Sequence, residues 1–288
     1  MQIVTDSGFD ISPAQQTKFN LNTLPLKITL SGKNYLSGID IQSEEFYQLL
    51  SETSDMPVTS FPSPGEFLDI YRRLAAEDPD ILSIHISSGL SGTYNAAQTA
   101  AKEMGKEANI TLVDTRTLSV EMGWQVEAAI QGIKSGWKTK EILSLMAHLR
   151  EWSQVIFTLP DLTYLIHGGR ISHLQGLLAS VLDIKPLITV DKSQGKYQDI
   201  EKARTFKRAI KAIPEAIAKK FPEGTHICVQ IAHAGNPEAA YRLRVETERL
   251  FKCDWLPDCS ISPVLGAHTG RGLVGLVFAP IATGPEFP

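Results

Sequence analysis

The stretch Asp80–Met104, DILSIHISSGLSGTYNAAQTAAKEM, decides the fold. Ile81, Leu82, Ile84 and Ile86 make a short apolar run rich in β-branched residues, the pattern of a buried strand. Ser87-Ser88-Gly89-Leu90-Ser91-Gly92-Thr93 turns the chain, and Tyr94 to Met104 has the Ala-rich composition of a helix. A strand that opens through a Gly/Ser turn into a helix aims backbone N–H groups and hydroxyls at one point, and the helix dipole adds partial positive charge there. That point is an anion site without a lysine, suited to a modest negative charge such as a carboxylate.

On the N-terminal side of this unit, Gln2 to Thr5 reads as a strand, followed by an Asp6-Ser7-Gly8 turn and a short helix capped by Asp10 or Ser12. Leu24 to Leu30 reads as a second strand and Ser43 to Glu52 as a helix. Ser63-Pro64-Gly65-Glu66 is a capping box with Pro at the first helical position, opening a helix through Phe67, Ile70, Tyr71 and Leu74. Further along come a strand at Ile110–Val113 and helices at Ser119–Lys134 and Thr139–Glu151. Strands alternating with helices predict a mostly parallel, Rossmann-like sheet with helices on both faces. Ligands of such sheets sit outside the carboxyl ends of the strands. The hydroxyl-bearing turns at Ser7, at Ser87–Thr93 and at Thr115–Thr117 are therefore expected to converge on one rim.

The pattern changes near Val155. A strand (Val155–Thr158), a short helix ending at Gly168-Gly169, an apolar helix over 174–182 and a hairpin about Asp191–Gly195 follow. Then come a helix (Arg204–Lys220), a strand (Ile227–Ala232), a helix (Glu238–Leu250) and a last strand (Leu273–Phe278). This mixture predicts a second, α+β domain with a mixed sheet. The chain is thus an α/β protein of two domains, 1–156 and 157–288, with a ligand tunnel at or near the cleft between them.

Composition removes several function classes. The 288 residues suffice for two cores, and a net charge of −4 carries no footprint for nucleic acid or an anionic membrane. No signal peptide and no membrane-spanning run is visible, so a cytoplasmic protein is expected. Cys228, Cys253 and Cys259 lack metal-site spacing and read as reduced thiols, and no metal is expected. There is no Walker-type phosphate loop and no dinucleotide fingerprint. Gly89-Leu90-Ser91-Gly92-Thr93 misses the G-x-S-x-G elbow, which leaves a serine esterase using Ser91 with His85 or His268 as an alternative. Ser91 and Thr59 also fit as plain cap or turn residues, Arg170 as one half of an ion pair at the domain seam, and His268, in a glycine-dense loop, as a structural hydrogen-bonding group. The 174–182 helix fits either a core or the wall of an apolar cavity.

Seven motifs occur in order along nearly the whole chain: VTDSG (4–8), TSFPSPGEF (59–67), SSGLSGTYNAA (87–97), VDTRTLSVEMG (113–123), YLIHGGRIS (164–172), DIKPLITV (183–190) and GAHTGRG (266–272). Together they resemble the DegV family, whose members bind long-chain fatty acids. The bacterial fatty-acid-binding (FakB-type) subunits among them present the acid to an ATP-dependent fatty acid kinase. The resemblance implies that Thr59 and Ser91 grip the acyl carboxylate, within a site that includes Ser88, Gly92, Thr93 and Thr269. It implies further that Arg170 and His268 lie beside the carboxylate and support phosphotransfer, and that Arg204 docks the kinase. The expected ligand is a palmitate-like acid, with no other cofactor, no catalysis by this chain itself and only transient contact with a membrane surface. A fatty-acid-sensing regulatory module is a further alternative. Two residues depart from the family pattern: Phe61 stands where Gln is usual, and Arg271 where Pro is usual.

Overall fold

The computed structural model describes residues 1–12, 21–174 and 184–281. Strand β1 (Gln2–Asp6) pairs in parallel with β2 (Asn22–Leu24). The expected single strand Leu24–Leu30 is in fact two strands belonging to different sheets. Pro25 breaks it, and the N–H of Leu26 turns to the Ser7 hydroxyl (2.9 Å). After the break β3 (Lys27–Leu30) pairs antiparallel with β4 (Lys33–Leu36). Helix α1 (Ser43–Glu52) leads to β5 (Val58–Ser60), which closes a three-stranded antiparallel sheet on the other side of β3. The alternation of strands and helices did not announce this sheet.

Helix α2 (Pro64–Ala75) starts at the expected capping box: the Ser63 N–H donates to Glu66 Oε2 (2.8 Å), and the Glu66 N–H donates to Ser63 Oγ (3.3 Å). The deciding unit folds as β6 (Asp80–His85) and α3 (Thr93–Met104), and β7 (Asn109–Asp114) completes a parallel sheet of order β2-β1-β6-β7. Helices cover both faces, as expected. Val4 and Ile81 pack against α2 and α3 on one face. Ile3, Leu82 and Ile84 pack on the other against α4 (Ser119–Lys134), which α5 (Thr139–Trp152) follows.

Helix α4 is buried almost all round because it lies between two sheets. Its Trp124 indole donates to Gln230 of the second sheet (2.7 Å). That sheet is mixed, as expected. Its strands are β8 (Gln154–Thr158), β9 (Lys185–Asp191), β10 (Lys196–Ala203), β11 (His226–His233), β12 (Lys252–Trp255), β13 (Cys259–Ser260) and β14 (Val274–Pro280). The order is β10-β9-β8-β14-β11-β12, with β13 beside β11. Strand β8 belongs wholly to this sheet, and the expected boundary between residues 156 and 157 falls inside it. A short helix, α6 (Thr163–His167), follows β8, and Ala209, Ile213 and Leu243 of α7 (Phe206–Ala218) and α8 (Pro237–Glu248) pack with Ile227, Val229 and Leu276 on the outer face.

The helix expected after the Asp10 or Ser12 cap lies outside the described residues from residue 13 on, as does the helix over 174–182 past its first residue. Among the described residues no helix is long and apolar enough to cross a membrane, and no group of His, Cys, Asp and Glu could hold a metal ion.

Candidate functional site

The three hydroxyl-bearing turns do meet at one rim, stitched by backbone. Ser87 N–H donates to Thr117 O (2.9 Å) and Ser119 N–H to Gly8 O (2.8 Å). Two of the turns use up their hydroxyls on groups of the protein itself. Ser7 accepts the Leu26 N–H, Thr115 donates to His85 O (2.8 Å), and Thr117 donates to the buried Glu121 carboxylate. In the middle turn Ser87 donates to Gly195 O (2.7 Å), while the Ser88 hydroxyl and N–H both go to Asp114 (2.5 and 3.1 Å). Ser91 is the hydroxyl left facing a cavity.

That cavity, of about 170 Å³, lies where the two halves of the chain meet. Thr59, Ser91, Arg170 and His268 supply its polar side, and Leu90, Leu118, Tyr197 and Leu265 are among its apolar walls. Larger hollows exist, among them one of about 510 Å³ between α7 and α8, whose polar wall is surface Lys, Glu and Arg of both signs. Another, of about 300 Å³, sets Ser7, Ser37 and Ser262 beside Phe9 and Leu21; the cavity of about 170 Å³ is distinguished by joining two hydroxyls, a guanidinium and an imidazole to an apolar wall. It therefore brings together four of the residues singled out from the sequence, from four separate segments.

Thr59 leaves β5 with its hydroxyl 2.7 Å from His268 Nε2. His268 is not in a loop as expected: it sits on α9 (Pro263–Thr269), a seven-residue helix opened by Pro263. Asp10 fixes the start of that helix by accepting the Ser262 N–H (2.9 Å) and the Ser119 hydroxyl (2.6 Å), and burial pushes its carboxyl up to about 6. The imidazole lies against Gly168, where an added Cβ would fall 2.1 Å from Nδ1. Burial, with Arg170 and His167 close by, drives the His268 pKa down to about 3, so the ring is neutral. Its buried Nδ1 has no hydrogen-bond partner among the described residues.

Ser91 sits just before α3, 2.8 Å from the Thr93 hydroxyl, and accepts the Thr93 N–H (3.3 Å). Gly92, between them, lets the Phe61 ring lie against the backbone, 2.5 Å from where a Cβ would be. Phe61 therefore puts an aromatic edge on the cavity. Arg170 opens a 3₁₀ turn (Arg170–His173) after Gly169, whose φ of 75° is the left-handed conformation that glycine tolerates. Its guanidinium donates to Gly168 O (2.6 Å) and Leu90 O (3.4 Å), and no carboxylate of the described residues pairs with it. Half-burial lowers its pKa from the usual value.

The remaining candidates stand apart from this cavity. Thr269 bonds the Leu265 carbonyl (3.2 Å) and lines a second, apolar cavity of about 40 Å³. Arg271 is exposed and lies by Gly235. Arg204 is exposed just past the end of β10, roughly 20 Å or more along the strand from the hairpin tip at a rise of about 3.3 Å per residue. His85 is wholly buried between Asp6 (2.9 Å) and Ser83 (2.6 Å), and neither it nor His268 is bonded to Ser91. Asp10, Gly168 and Tyr197 escaped the sequence reading as site residues. Gly168 had a visible signal in the Gly-Gly-Arg run, whereas Tyr197 looked like any residue of an alternating strand.

The family model described as "Uncharacterised protein, DegV family" matches residues 1–280. A DegV domain-containing protein of Staphylococcus aureus strain N315 is 35% identical over 275 residues, covering 96% of this chain and 97% of its own. One from Clostridium acetobutylicum is 32% identical over 276 residues, covering 96% and 97%. Two solved structures superpose closely. One, described as showing fatty acid binding by a DegV family protein of Thermus thermophilus, has 30% identity and a TM-score of 0.85, with 97% of this chain and 99% of that one covered. DegV of Bacillus subtilis, described as a fatty acid binding protein, has 26% identity and a TM-score of 0.84, with 97% and 98% covered.

Proposed function

The chain belongs to the DegV family, and from that premise we propose that it holds one long-chain fatty acid between its two domains and presents the carboxylate to a separate ATP-dependent fatty acid kinase. The observation that carries this reading is the pairing of two hydroxyls with apolar walls in one cavity at the seam. An alkyl tail of palmitate length gains on the order of 12 kcal/mol gross from burial at about 0.8 kcal/mol per methylene, offset by ordering and association. Its carboxylate needs donors when it leaves water.

The proton arrangement that supplies them is determined by the neutral imidazole. With a carboxylate as acceptor, Thr59 donates its hydroxyl proton to the ligand, so its oxygen takes the N–H of His268 Nε2. Nδ1 is then the bare lone pair against Gly168. In the same way Thr93 donates to Ser91, and Ser91 donates to the ligand. Both short chains point their protons at one carboxylate, and neither neutralises it with a fixed positive charge, so the oxygen keeps its nucleophilicity toward a γ-phosphate brought by the kinase. Arg170, held by two backbone carbonyls, is the cation available to the phosphoryl group as charge develops. The fatty-acid-sensing regulator differs from this reading at one point, formation of acyl phosphate.

Mass spectrometry of lipid extracted from the purified protein tests the ligand. Recovery of a stoichiometric long-chain acid is expected, and a protein that neither carries nor takes up such an acid would refute the reading. Incubation with acid, ATP and a fatty acid kinase tests the second half: acyl phosphate is expected, and stoichiometric binding without it favours the regulator.

A further inference from the structure

The head-group cavity and the inner apolar cavity have three walls in common: Leu118, Tyr197 and Leu265. A chain whose head lies at Thr59 and Ser91 reaches the inner cavity between these three side chains. Each is buried, with exposures of 7%, 6% and 7%.

The three come from separate elements, and each is held. The Tyr197 ring is braced edge-on by Phe157, itself a wall of the inner cavity, at 5.6 Å and 69°. The hairpin that carries Tyr197 is clamped to the other domain. Ser87 donates to Gly195 O at its tip, and Lys192 pairs with the fully buried Glu121 of α4. A Cβ on Gly89 would stand 2.5 and 2.6 Å from the carbonyl oxygens of Gln194 and Gly195, so the two backbones touch with no side chain between them. Leu118 is followed by Ser119, whose N–H is bonded to Gly8 O (2.8 Å). Leu265 rides on α9, anchored through Ser262 to Asp10. Close-packed walls tied at both ends resist the displacement that an extra methyl group demands.

We propose that Leu118, Tyr197 and Leu265 form a fixed waist between head and tail that admits an unbranched run of methylenes, so that the protein selects against acids carrying a methyl branch at the carbons that occupy it. This deepens the fatty-acid reading and rests on it. Tyr197 acts by the bulk of its ring, and the phenol hydroxyl is not required. One methyl group in an apolar site of fixed shape discriminates by about 10- to 200-fold.

The test is a methyl walk. Hexadecanoic acid and a series of its monomethyl isomers, branched at successive carbons, are titrated against the whole delipidated chain by displacement of a fluorescent fatty acid. Affinity is expected to fall about 10- to 200-fold over one run of adjacent branch positions and to stay near that of hexadecanoic acid closer to the carboxyl. Tyr197→Ala and Leu265→Ala are each expected to restore binding at that run alone, and Tyr197→Phe to retain the wild-type profile. A flat wild-type profile would overturn the waist without any variant having to fold. A window that survives in folded Tyr197→Ala and Leu265→Ala would overturn it as well. Failure of hexadecanoic acid itself to bind would refute the fatty-acid reading instead, so the two failures are distinct.

Discussion

Gly168→Ala isolates the contact that orients the head-group donors. Gly168 has φ −72° and ψ −5°, a right-handed conformation that alanine adopts freely, so the backbone itself is not strained by the change. The new methyl would stand 2.1 Å from His268 Nδ1 and 2.9 Å from Cε1, whereas ordinary contact begins at 3.4 Å. The imidazole must therefore retreat by more than an ångström. The ring cannot shift that far and keep its 2.7 Å bond to Thr59 as it stands. Forcing a methyl into a filled site costs about 1–3 kcal/mol. Leaving the buried Nε2 unpaired costs about 1–3 kcal/mol more, with part of the two overlapping. At roughly 2–4 °C per kcal/mol, the melting temperature should drop by several degrees. Affinity for a fatty acid should fall with it, because Thr59 loses the group that turns its proton toward the carboxylate. The assay is thermal denaturation with and without acid, alongside fluorescent displacement, on Gly168→Ala, His268→Ala and the double variant. With the ring gone there is nothing to collide with, so Gly168→Ala should add little in the His268→Ala background. Equal destabilisation by Gly168→Ala in both backgrounds would refute the wedge. Gly169→Ala is the contrast: no atom lies within 4 Å of its added Cβ, and its penalty arises from φ alone, so it should lower stability and leave affinity nearly unchanged.

Ser91→Ala and Thr59→Ala each remove a donor to a charged acceptor, and calorimetric titration should show binding weaker by about 1–3 kcal/mol; affinity unchanged in both would remove them from the carboxylate. Arg170→Ala should retain most of the binding and abolish acyl phosphate formation by added kinase and ATP, whereas a loss of binding equal to that of Ser91→Ala would end this division of labour. Acid should destabilise the protein through His268. Its pKa falls from 6.5 to about 3 on folding, so between these values the unfolded chain binds the proton and the folded one does not. The neutral ring's stabilisation is complete above pH 6.5 and is lost as pH falls, by up to about 1.4 kcal/mol per unit. Asp10 works in the opposite sense, because its pKa rises from 3.8 to about 6, so its contribution is present at low pH and lost as pH rises through that window. Urea denaturation at pH 7 and pH 5 should therefore show a larger acid loss in the wild type than in His268→Gln, a comparison in which the Asp10 contribution cancels; equal losses would contradict the buried neutral ring.

Much of this is legible in the sequence, and the legible part is local. The Ser63–Glu66 box and helix Ser119–Lys134 are written in neighbouring residues, so short-range chemistry determines them. The break at Pro25 depends on Ser7, which takes the N–H of Leu26 from a distant turn. Helix α9 is too short for a periodicity to show, and its Gly266, with Gly270 and Gly272 just beyond its end, reads as a loop, although Pro263 at its first position was a usable sign. The alternation of β10 implies that Tyr197 faces one side of the sheet, but not that this side borders a cavity. For the site, the resemblance picked out Thr59, Ser91, Arg170 and His268, and the cavity joins these four. Ser88 and Thr269 share the same motifs but are diverted, one by Asp114 and the other by the carbonyl of its own helix turn. Motif membership identifies a neighbourhood; which hydroxyl within it is free is decided by competing acceptors.

The same competition explains why the carboxylate site has so little charge. Every acidic side chain near the turns already has donors: Asp6 holds His85, Gly8 and Ile86, Asp114 holds Ser88 and Arg116, and Glu121 holds Thr117, Ser153 and Lys192. None of them is left to neutralise Arg170. A guanidinium fastened to two carbonyl oxygens and lacking a carboxylate keeps its charge for an anion from outside. A ligand carboxylate held close against it would form a tight pair and become a poorer nucleophile. In the proposed reading, seating that carboxylate instead on Thr59 and Ser91, whose partners are neutral, would keep the oxygen reactive and leave the cation to the group that gains charge during transfer. A positive charge added at the hydroxyl side should therefore separate the two demands. Ser60→Lys, at the exposed residue beside Thr59 that also lines the cavity, is expected to raise affinity for the acid while slowing acyl phosphate formation; faster transfer together with tighter binding would show that the neutrality of the donors has no bearing on the chemistry.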